Sequence, residues 1–309
     1  MLQTYQTTLR SPVTCSGIGL HSGKTVTMSL KPAAEDTGIV FKRTDIDPAK
    51  ALIPARYDRV VDTRLGTTIS NEFGVKISTV EHLMAALWGA GVDNVVIELD
   101  AAEVPIMDGS SEPFIFLIEC AGLKELKAYR RLVKVLKPIR VKEGEAEAAL
   151  LPQDGFAIHI EIDFNHAMIS RQKALYDFSE QSFKQALSRA RTFGFQKDID
   201  KMRSLGLALG GSLDNAIVVG DDHIVNEGGL RFDDEFIRHK ALDCIGDLFL
   251  AGARIEGKLV CSRPGHSINN TLLRALFADA DAWEFTSSRP TSTVSRNTRR
   301  DSGLEQIAY

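Results

Sequence analysis

Residues 239–247 read His-Lys-Ala-Leu-Asp-Cys-Ile-Gly-Asp and lie within a longer stretch, 236–249, whose apolar residues recur at helical spacing. His239, Asp243 and Asp247 follow one another at intervals of four residues, about 400° of rotation per step, so their side chains lie along one stripe of the helix. This stripe carries one imidazole and two carboxylates among apolar neighbours. Because an unpaired charge is costly to bury, these groups need a partner if the helix is buried.

A plan of helix, strand, turn and helix surrounds this segment and occurs twice along the chain. The first copy begins with a helix after Ser78 or Thr79 and ends with a helix near Cys120; the second copy runs from residue 236 to about residue 278. Alternating and β-branched residues predict strands in both halves. These strands are expected at residues 25–30, 39–41, 75–77, 95–99 and 258–261.

We therefore predict an α+β fold with two similar domains, each a mostly antiparallel sheet with helices packed on one face. The first domain is expected to cover residues 1–126 and the second residues 127–286, with a charged connection at residues 124–131. The tail, residues 287–309, contains many Ser, Thr and Arg residues and few apolar ones, and we expect it to be disordered.

The composition is that of an ordinary globular protein. The chain has 309 residues, a net charge of -4 and 44% hydrophobic residues. These values exclude a protein that is disordered over most of its length and a small protein that depends on disulfides or a metal for its stability. Without an excess of basic residues, we expect no nucleic-acid partner. The N-terminus lacks the pattern of a signal peptide, and no apolar run reaches the roughly 18 residues of a membrane helix, so we expect a cytoplasmic protein without a membrane span.

The four cysteines give no pattern of a disulfide or metal site. Cys15, Cys120, Cys244 and Cys261 are scattered without any CxxC pair, and most have apolar neighbours. We expect them to be reduced residues of the core.

The helix stripe predicts a metal site. A histidine and an aspartate at positions i and i+4 can bind one metal ion, as two histidines do in HExxH helices, and His82, which directly follows Glu81, is the natural third ligand. Two His and one Asp on Zn²⁺ leave a fourth position for water, which is typical of catalytic sites, and the same ligands do not exclude Fe²⁺. Each pair taken alone also fits a solvated helical pair or a surface turn.

Five motifs occur in order along the chain. Together they resemble the UDP-3-O-acyl-N-acetylglucosamine deacetylases of lipid A biosynthesis, and the resemblance extends from about residue 8 to about residue 283. The motifs are Ser-Thr-Val-Glu-His-Leu at 78–83, Pro-Ile-Met-Asp-Gly-Ser at 105–110, Arg-Thr-Phe-Gly-Phe at 191–195, His239-Lys240-x-x-Asp243-x-x-Gly246-Asp247, and Gly265-His266-x-x-Asn269-Asn270.

The resemblance implies a set of metal ligands and a general base. According to the resemblance, His82, His239 and Asp243 would bind one Zn²⁺ ion, and Glu81 would be the general base for the attacking water. The hydroxyl of Thr192 and the zinc ion would stabilise the oxyanion of the tetrahedral intermediate. We expect this zinc site to lie between the two domains, where their helices meet.

The resemblance also implies a cationic partner on the opposite side of the site. His266 would stabilise charge and protonate the leaving amine, and Asp247 would keep His266 protonated by charge pairing and hydrogen bonding. The sequence leaves open whether Glu81 alone handles both proton transfers or His266 supplies the proton.

Substrate contacts are implied in the same way. Lys240 would meet a phosphate of UDP, unless it is an exposed helical lysine. The aromatic residues Phe164 and Phe193 would lie near the substrate, with core packing as the alternative for Phe164. An insert at residues 199–213 would form an apolar passage for the 3-O-acyl chain. Its lining candidates, for which ordinary core packing is the alternative, are Ile199, Met202, Leu213 and Val218.

The function implied is that of a zinc-dependent amidase. It would hydrolyse the N-acetyl group of UDP-3-O-(3-hydroxyacyl)-N-acetylglucosamine to the free amine and acetate, the committed step of lipid A biosynthesis. Its partner is the acylated UDP-sugar, and we expect a monomer. One alternative is a deacylase of another N-acylated nucleotide sugar. A catalytically silent homologue would be expected to lack one of the chemical groups, and all are present: Glu81, His82, His239, Asp243 and His266.

Overall fold

The computed structural model describes residues 4–178 and 182–287. The predicted disordered tail therefore lies outside the described residues, apart from Ser287, which ends the last strand. Within the described ranges, every helix is too short or too polar to cross a lipid bilayer.

The first part of the chain forms two sheets and two α-helices. A five-stranded sheet has the order β2-β3-β9-β4-β5, in which β4 and β9 are parallel and the other pairs antiparallel; β6, β7 and β8 form a small antiparallel sheet. The strands are β1 (Tyr5–Leu9), β2 (Val13–Ile18), β3 (Thr25–Pro32), β4 (Ile39–Arg43), β5 (Leu52–Pro54), β6 (Val60–Asp62), β7 (Thr68–Ser70), β8 (Lys76–Ile77) and β9 (Val95–Leu99). The helices are α1 (Glu81–Ala90) and α2 (Glu112–Ala121), and 3-10 turns cover Pro48–Lys50 and Tyr57–Arg59.

Among the described residues, the second part forms a seven-stranded sheet, a parallel pair of short strands at Phe193–Phe195 and Ile217–Val219, a strand at Leu123–Tyr129 that pairs with the start of the chain, and four helices. The long central strand β18 pairs with β13 in antiparallel fashion and with β11 and β14 in parallel. The strands are β10 (Leu123–Tyr129), β11 (Arg131–Val135), β12 (Ile139–Glu143), β13 (Ala146–Leu151), β14 (Phe156–Asp163), β15 (Arg171–Asp177), β16 (Phe193–Phe195), β17 (Ile217–Val219), β18 (Arg254–Ser262) and β19 (Trp283–Ser287). The helices are α3 (Phe183–Ala186), α4 (Gln196–Ser204), α5 (Glu235–Phe249) and α6 (His266–Ala278).

The helices of the two parts pack against each other. Helix α1 contacts both α2 and α5, while α5 and α6 also pack on strands of the seven-stranded sheet, and α2 contacts β2. Apolar residues on the inward faces of the strands, such as Val26, Met28 and Leu30 of β3, complete a common core with these helices. The predicted α+β class is thus confirmed, and the helices of the two parts meet as expected.

The charged segment at residues 124–131, which was expected to connect two domains, is itself mostly a β-strand. Most of it belongs to β10, which pairs in antiparallel fashion with β1 at the start of the chain. The proposed boundary between residues 126 and 127 falls inside this strand, and the division into two domains stays a prediction.

Two local expectations differ from the structure. Helix α1 begins at Glu81 and not directly after Ser78, because Thr79 adopts a left-handed conformation (φ 56°) and its hydroxyl lies 3.3 Å from the carboxylate of Glu103. All four cysteines are free, but Cys120 is exposed, and Cys244 and Cys261 alone among the four are buried. In α2 the buried positions are 114, 115, 118 and 121, so residue 120 lies on the outer face.

Candidate metal centre and catalytic site

Helices α1 and α5 lie in close contact, and their contact builds the site. A Cβ atom at Gly246 of α5 would overlap the carbonyl oxygen of Glu81 and lie 2.8 Å from its carbonyl carbon, so the approach requires glycine. The first turn of α1 is thereby brought against the predicted stripe of α5. The stripe is buried as expected: His239, Asp243 and Asp247 are 2%, 4% and 2% exposed.

His82, His239 and Asp243 meet at this contact. Their candidate ligand atoms all lie within 4.8 Å of one another. The Nε2 atoms of His82 and His239 are 3.6 Å and 3.3 Å from Oδ1 of Asp243. This oxygen is buried and has no hydrogen-bond partner among the residues that the structure describes, which leaves it available to a cation.

The spacing of these atoms fits a small tetrahedral cation. Zinc ligands lie roughly 2.0–2.1 Å from the ion, so two ligand atoms at tetrahedral corners are about 3.3–3.4 Å apart. The observed separations of 3.3 Å and 3.6 Å are close to this value. The structure therefore brings together the three residues that were predicted as metal ligands, in an arrangement that can hold a metal ion.

The ring of His239 is oriented as a metal ligand requires. Its Nδ1 atom lies 3.0 Å from the carbonyl oxygen of Ala190, so Nδ1 donates a proton there and Nε2 keeps its lone pair. Burial lowers the pKa of His239 to about 3, which keeps the imidazole in its neutral, metal-binding form.

A buried ion pair fixes the segment around Ala190. The guanidinium of Arg191 donates to both carboxylate oxygens of Glu235 at 2.9 and 3.1 Å, and the Arg191 N–H donates to the same carboxylate. Glu235 is fully buried at the start of α5. The segment that holds the His239 ring is thus anchored to the helix that carries His239.

Lys240 pairs with the second oxygen of Asp243. Its Nζ atom donates to Oδ2 at 2.8 Å and lies 5.9 Å from the centre of the Phe193 ring. Burial opposes ionisation of Asp243, but the positive charge that faces it, including that of Lys240, outweighs burial and holds the pKa of Asp243 well below its usual range. The pairing was not predicted, and the role of Lys240 toward a phosphate stays a prediction.

Glu81 begins α1 next to the candidate metal ligands and is only 3% exposed. Its Oε2 atom accepts the N–H of Thr67 at 2.9 Å. A Cβ atom at Gly66 would lie 2.9 Å from Oε1, so a larger residue there would displace the carboxylate. Burial raises the pKa of Glu81, which moves it toward the range in which a carboxylate is an effective general base.

The buried Asp247 and the half-buried His266 form a pair opposite Glu81. Nδ1 of His266 lies 2.8 Å from Oδ2 of Asp247, while Nε2 faces Oε1 of Glu81 at 3.9 Å. Burial disfavours the charged imidazole, but the negative charges of Asp247 and Glu81 and the hydrogen bond to Asp247 raise the pKa of His266 to about 9. A protonated imidazole therefore stands across from the buried carboxylate near neutral pH.

A cavity of about 560 Å³ opens beside the metal ligands. His239 and Lys240 line it, and α4 with the loop that follows forms another part of the wall. All the predicted substrate and oxyanion residues line it: Phe164, Thr192, Phe193, Ile199, Met202, Leu213 and Val218, together with Lys240. Each of the four passage candidates is half-buried or exposed, so ordinary core packing does not account for them.

The sequence analysis gave several residues of the site no role, although Gly246 and Asn269 stand in the quoted motifs. Thr67 and Asn269 both donate to Asp247, at 2.6 Å and 2.8 Å. Asn269 follows His266 by three residues and so shares its side of α6, which is a usable signal. Gly246 inside a helix also signals a close approach, because glycine is unfavourable there without a packing reason. Thr67 gives no such signal.

Comparison with known proteins agrees with the motifs. The sequence model of the LpxC family, described as UDP-3-O-acyl N-acetylglycosamine deacetylase, matches residues 6–278. Curated proteins named UDP-3-O-acyl-N-acetylglucosamine deacetylase are similar over nearly the whole chain. The one from Aliivibrio fischeri is 51% identical over 91% of this chain and 92% of its own length, and the one from Histophilus somni is 52% identical over 91% and 93%.

A third relative with the same name, from Vibrio cholerae serotype O1, is 50% identical over 91% of this chain and 92% of its own length. The matched region contains every side chain of the site described above. The chain therefore belongs to the LpxC family of UDP-3-O-acyl N-acetylglycosamine deacetylases.

Proposed function

We propose that this protein is a zinc-dependent amidase that hydrolyses the N-acetyl group of UDP-3-O-(3-hydroxyacyl)-N-acetylglucosamine to the free amine and acetate, the committed step of lipid A biosynthesis. The observation that carries the proposal is the buried group of His82, His239 and Asp243 beside an apolar cavity and an acid–base pair. The family and the names of the relatives supply the substrate.

His82, His239 and Asp243 are the residues proposed to hold the metal. A Zn²⁺ ion bound there supplies a Lewis acid for the amide carbonyl and lowers the pKa of a water molecule. The same ligand set accepts Fe²⁺. The donation from His239 Nδ1 to Ala190 fixes the ring before metal binding, which lowers the cost of ordering the site.

Glu81 is proposed to take the proton of the attacking water. Its carboxylate is buried and held by the Thr67 N–H, so its direction is fixed and its raised pKa makes it a competent base. His266 is proposed to stabilise the developing negative charge and to deliver a proton to the leaving amine. Asp247 supports this role, because its charge and hydrogen bond favour the protonated ring.

The cavity is proposed to receive the rest of the substrate. Thr192 lines it near His239, where its hydroxyl can donate to the oxyanion. Ile199, Met202, Leu213 and Val218 would contact the 3-O-acyl chain, and Lys240, Phe164 and Phe193 would contact the UDP-sugar part. An apolar cavity of this size suits an acyl chain better than a second polar group.

We also propose a cytoplasmic monomer. Four free cysteines, of which Cys120 is exposed, suit a reducing compartment. All three metal ligands and the acid–base pair come from one chain, so the site needs no residue from a second copy.

The test is acetate release from UDP-3-O-(3-hydroxyacyl)-N-acetylglucosamine, measured before chelation, after chelation and after return of one equivalent of Zn²⁺. We expect release that chelation abolishes and zinc restores. No release from folded, zinc-loaded protein would overturn the proposed substrate. Competition with other N-acylated nucleotide sugars would then identify the alternative deacylase activity.

A further inference from the structure

Thr67 contacts two carboxylates that belong to different helices. It lies immediately before β7 and is only 1% exposed. Its N–H donates to Oε2 of Glu81 at 2.9 Å, and its hydroxyl donates to Oδ1 of Asp247 at 2.6 Å. One residue therefore links the proposed general base on α1 to the carboxylate on α5 that supports His266.

Thr67 is itself held firmly in place. Its carbonyl oxygen accepts the N–H of Val80, the residue before α1, at 3.3 Å. The preceding Gly66 lies against the Glu81 carboxylate, as described above, and the following residue enters the small sheet of β6, β7 and β8. A donor on such a segment is preorganised and does not need to be ordered when substrate binds.

The hydroxyl of Thr67 completes the environment of Asp247. Oδ2 of this carboxylate receives His266 and Asn269, both at 2.8 Å, and Oδ1 receives Thr67. Without the Thr67 hydroxyl, Oδ1 would be a buried charged oxygen that has lost its donor. The carboxylate could then rotate, and the hydrogen-bonded His266 ring would no longer be held with Nε2 facing Glu81.

We propose that Thr67 is a positioning residue for the hydrolysis. Thr67 fixes the carboxylates of Glu81 and Asp247 relative to each other and thereby orients His266. This inference rests on the proposed function. The two contacts can be separated by mutation: any residue except proline keeps the N–H to Glu81, but only serine or threonine keeps the short hydroxyl donor to Asp247.

The experiment compares Thr67→Val, Thr67→Ser and the matched control Thr68→Val, which changes the half-buried neighbour in β7. Valine keeps the shape of threonine but removes the donor to Oδ1 of Asp247, so the free energy of unfolding is expected to fall while the chain still folds and binds zinc at the wild-type level. Loss of a hydrogen bond to a charged group predicts a fall in kcat of roughly ten- to hundredfold for Thr67→Val, with KM little changed. Thr67→Ser is expected to recover most of kcat, and Thr68→Val to match the wild type.

A double-mutant cycle tests whether Thr67 acts through Asp247. In the Asp247→Ala background, where the acceptor is absent, Thr67→Val is expected to change kcat less than about twofold. A tenfold loss in that background, or wild-type kcat in the single variant, would overturn the inference. An inactive wild-type enzyme would instead count against the proposed function as well, so the two failures are distinguishable.

Discussion

The imidazole of His266 is bonded to Asp247 on one side and faces Glu81 on the other, with Nδ1 at 2.8 Å from Oδ2 of Asp247 and Nε2 at 3.9 Å from Oε1 of Glu81. The pKa values of the two facing groups are both raised, but for different reasons. Burial raises the pKa of Glu81, whereas the charges of Asp247 and Glu81 overcome burial at His266 and raise its pKa to about 9. Below about pH 9 the protonated ring of His266 therefore faces the proposed base, and His266 sets the alkaline side of the pH window expected for activity.

The first prediction concerns the alkaline side of this window. The wild-type kcat/KM is expected to fall as pH rises through about 9, because His266 then loses its proton. In Asp247→Asn the negative charge that favours imidazolium is gone, so the pKa of His266 falls and the alkaline limb moves to lower pH. The profile is measured with zinc-loaded enzymes. Asp279→Asn, on a surface carboxylate paired with Lys137, is the control, and an unmoved limb in Asp247→Asn would contradict the assignment.

The second prediction concerns the proposed general base. Glu81→Gln keeps the shape and the hydrogen bond from Thr67 but cannot accept a proton, so turnover is expected to fall at least about a hundredfold. Zinc content, measured by metal analysis, should stay near one per chain. His82→Ala is expected to lose the metal as well as activity. Wild-type turnover by Glu81→Gln would show that another group is the base.

The third prediction concerns the packing of α1 on α5. Gly246→Ala places a methyl group on the Glu81 backbone, which cannot move aside as a side chain can. Overpacking of this kind costs about 1–3 kcal/mol in the free energy of unfolding. Since His82 and Asp243 lie on the two helices that would be pushed apart, zinc affinity should fall too. Urea denaturation and zinc titration measure the two effects.

Gly228→Ala is the control for that variant, because a Cβ atom at Gly228 would meet no atom within 4 Å. Its stability and zinc affinity are expected to equal those of the wild type. Unchanged zinc affinity in Gly246→Ala would show that the helix contact does not set the metal site.

The fourth prediction concerns the apolar cavity. Met202→Trp adds bulk to its wall and should raise KM for a substrate with a long 3-hydroxyacyl chain by at least about tenfold, with a much smaller effect on an analogue with a short chain. Leu205→Trp, at a position just after α4 that is 67% exposed, is the control. An equal rise in KM for both chain lengths would place the acyl chain elsewhere.

The clustering of His239, Asp243 and Asp247 in the candidate metal site could be predicted from the sequence because its signals are local. The spacing of His239, Asp243 and Asp247 follows from helix geometry, and burial of the stripe follows from its apolar neighbours. The prediction that His82 lies beside them rested on the family resemblance and on the position of His82 directly after Glu81. The contact that makes the site, Gly246 against α1, joins segments far apart in the chain, and the spacing does not specify which surface meets the glycine.

Other features could not be predicted from the sequence, for different physical reasons. The Ala190 carbonyl that orients His239 is a backbone group, which any residue would supply. Strand β10 has no clear alternation of apolar residues, so its pairing with β1 depends on the partner and not on its own pattern. Exposure of Cys120 was predictable from the helical spacing of α2, but its apolar neighbours suggested a core position instead.

The division of the proposed metal ligands between α1 and α5 has a consequence for biosynthesis. The ribosome makes His82 early, but His239 and Asp243 emerge only after most of the chain has been translated. A nascent chain that ends before α5 holds one ligand of the three and cannot retain a metal ion tightly. With these proposed ligands, tight metal binding is therefore possible only after α5 has emerged, late in synthesis or after release.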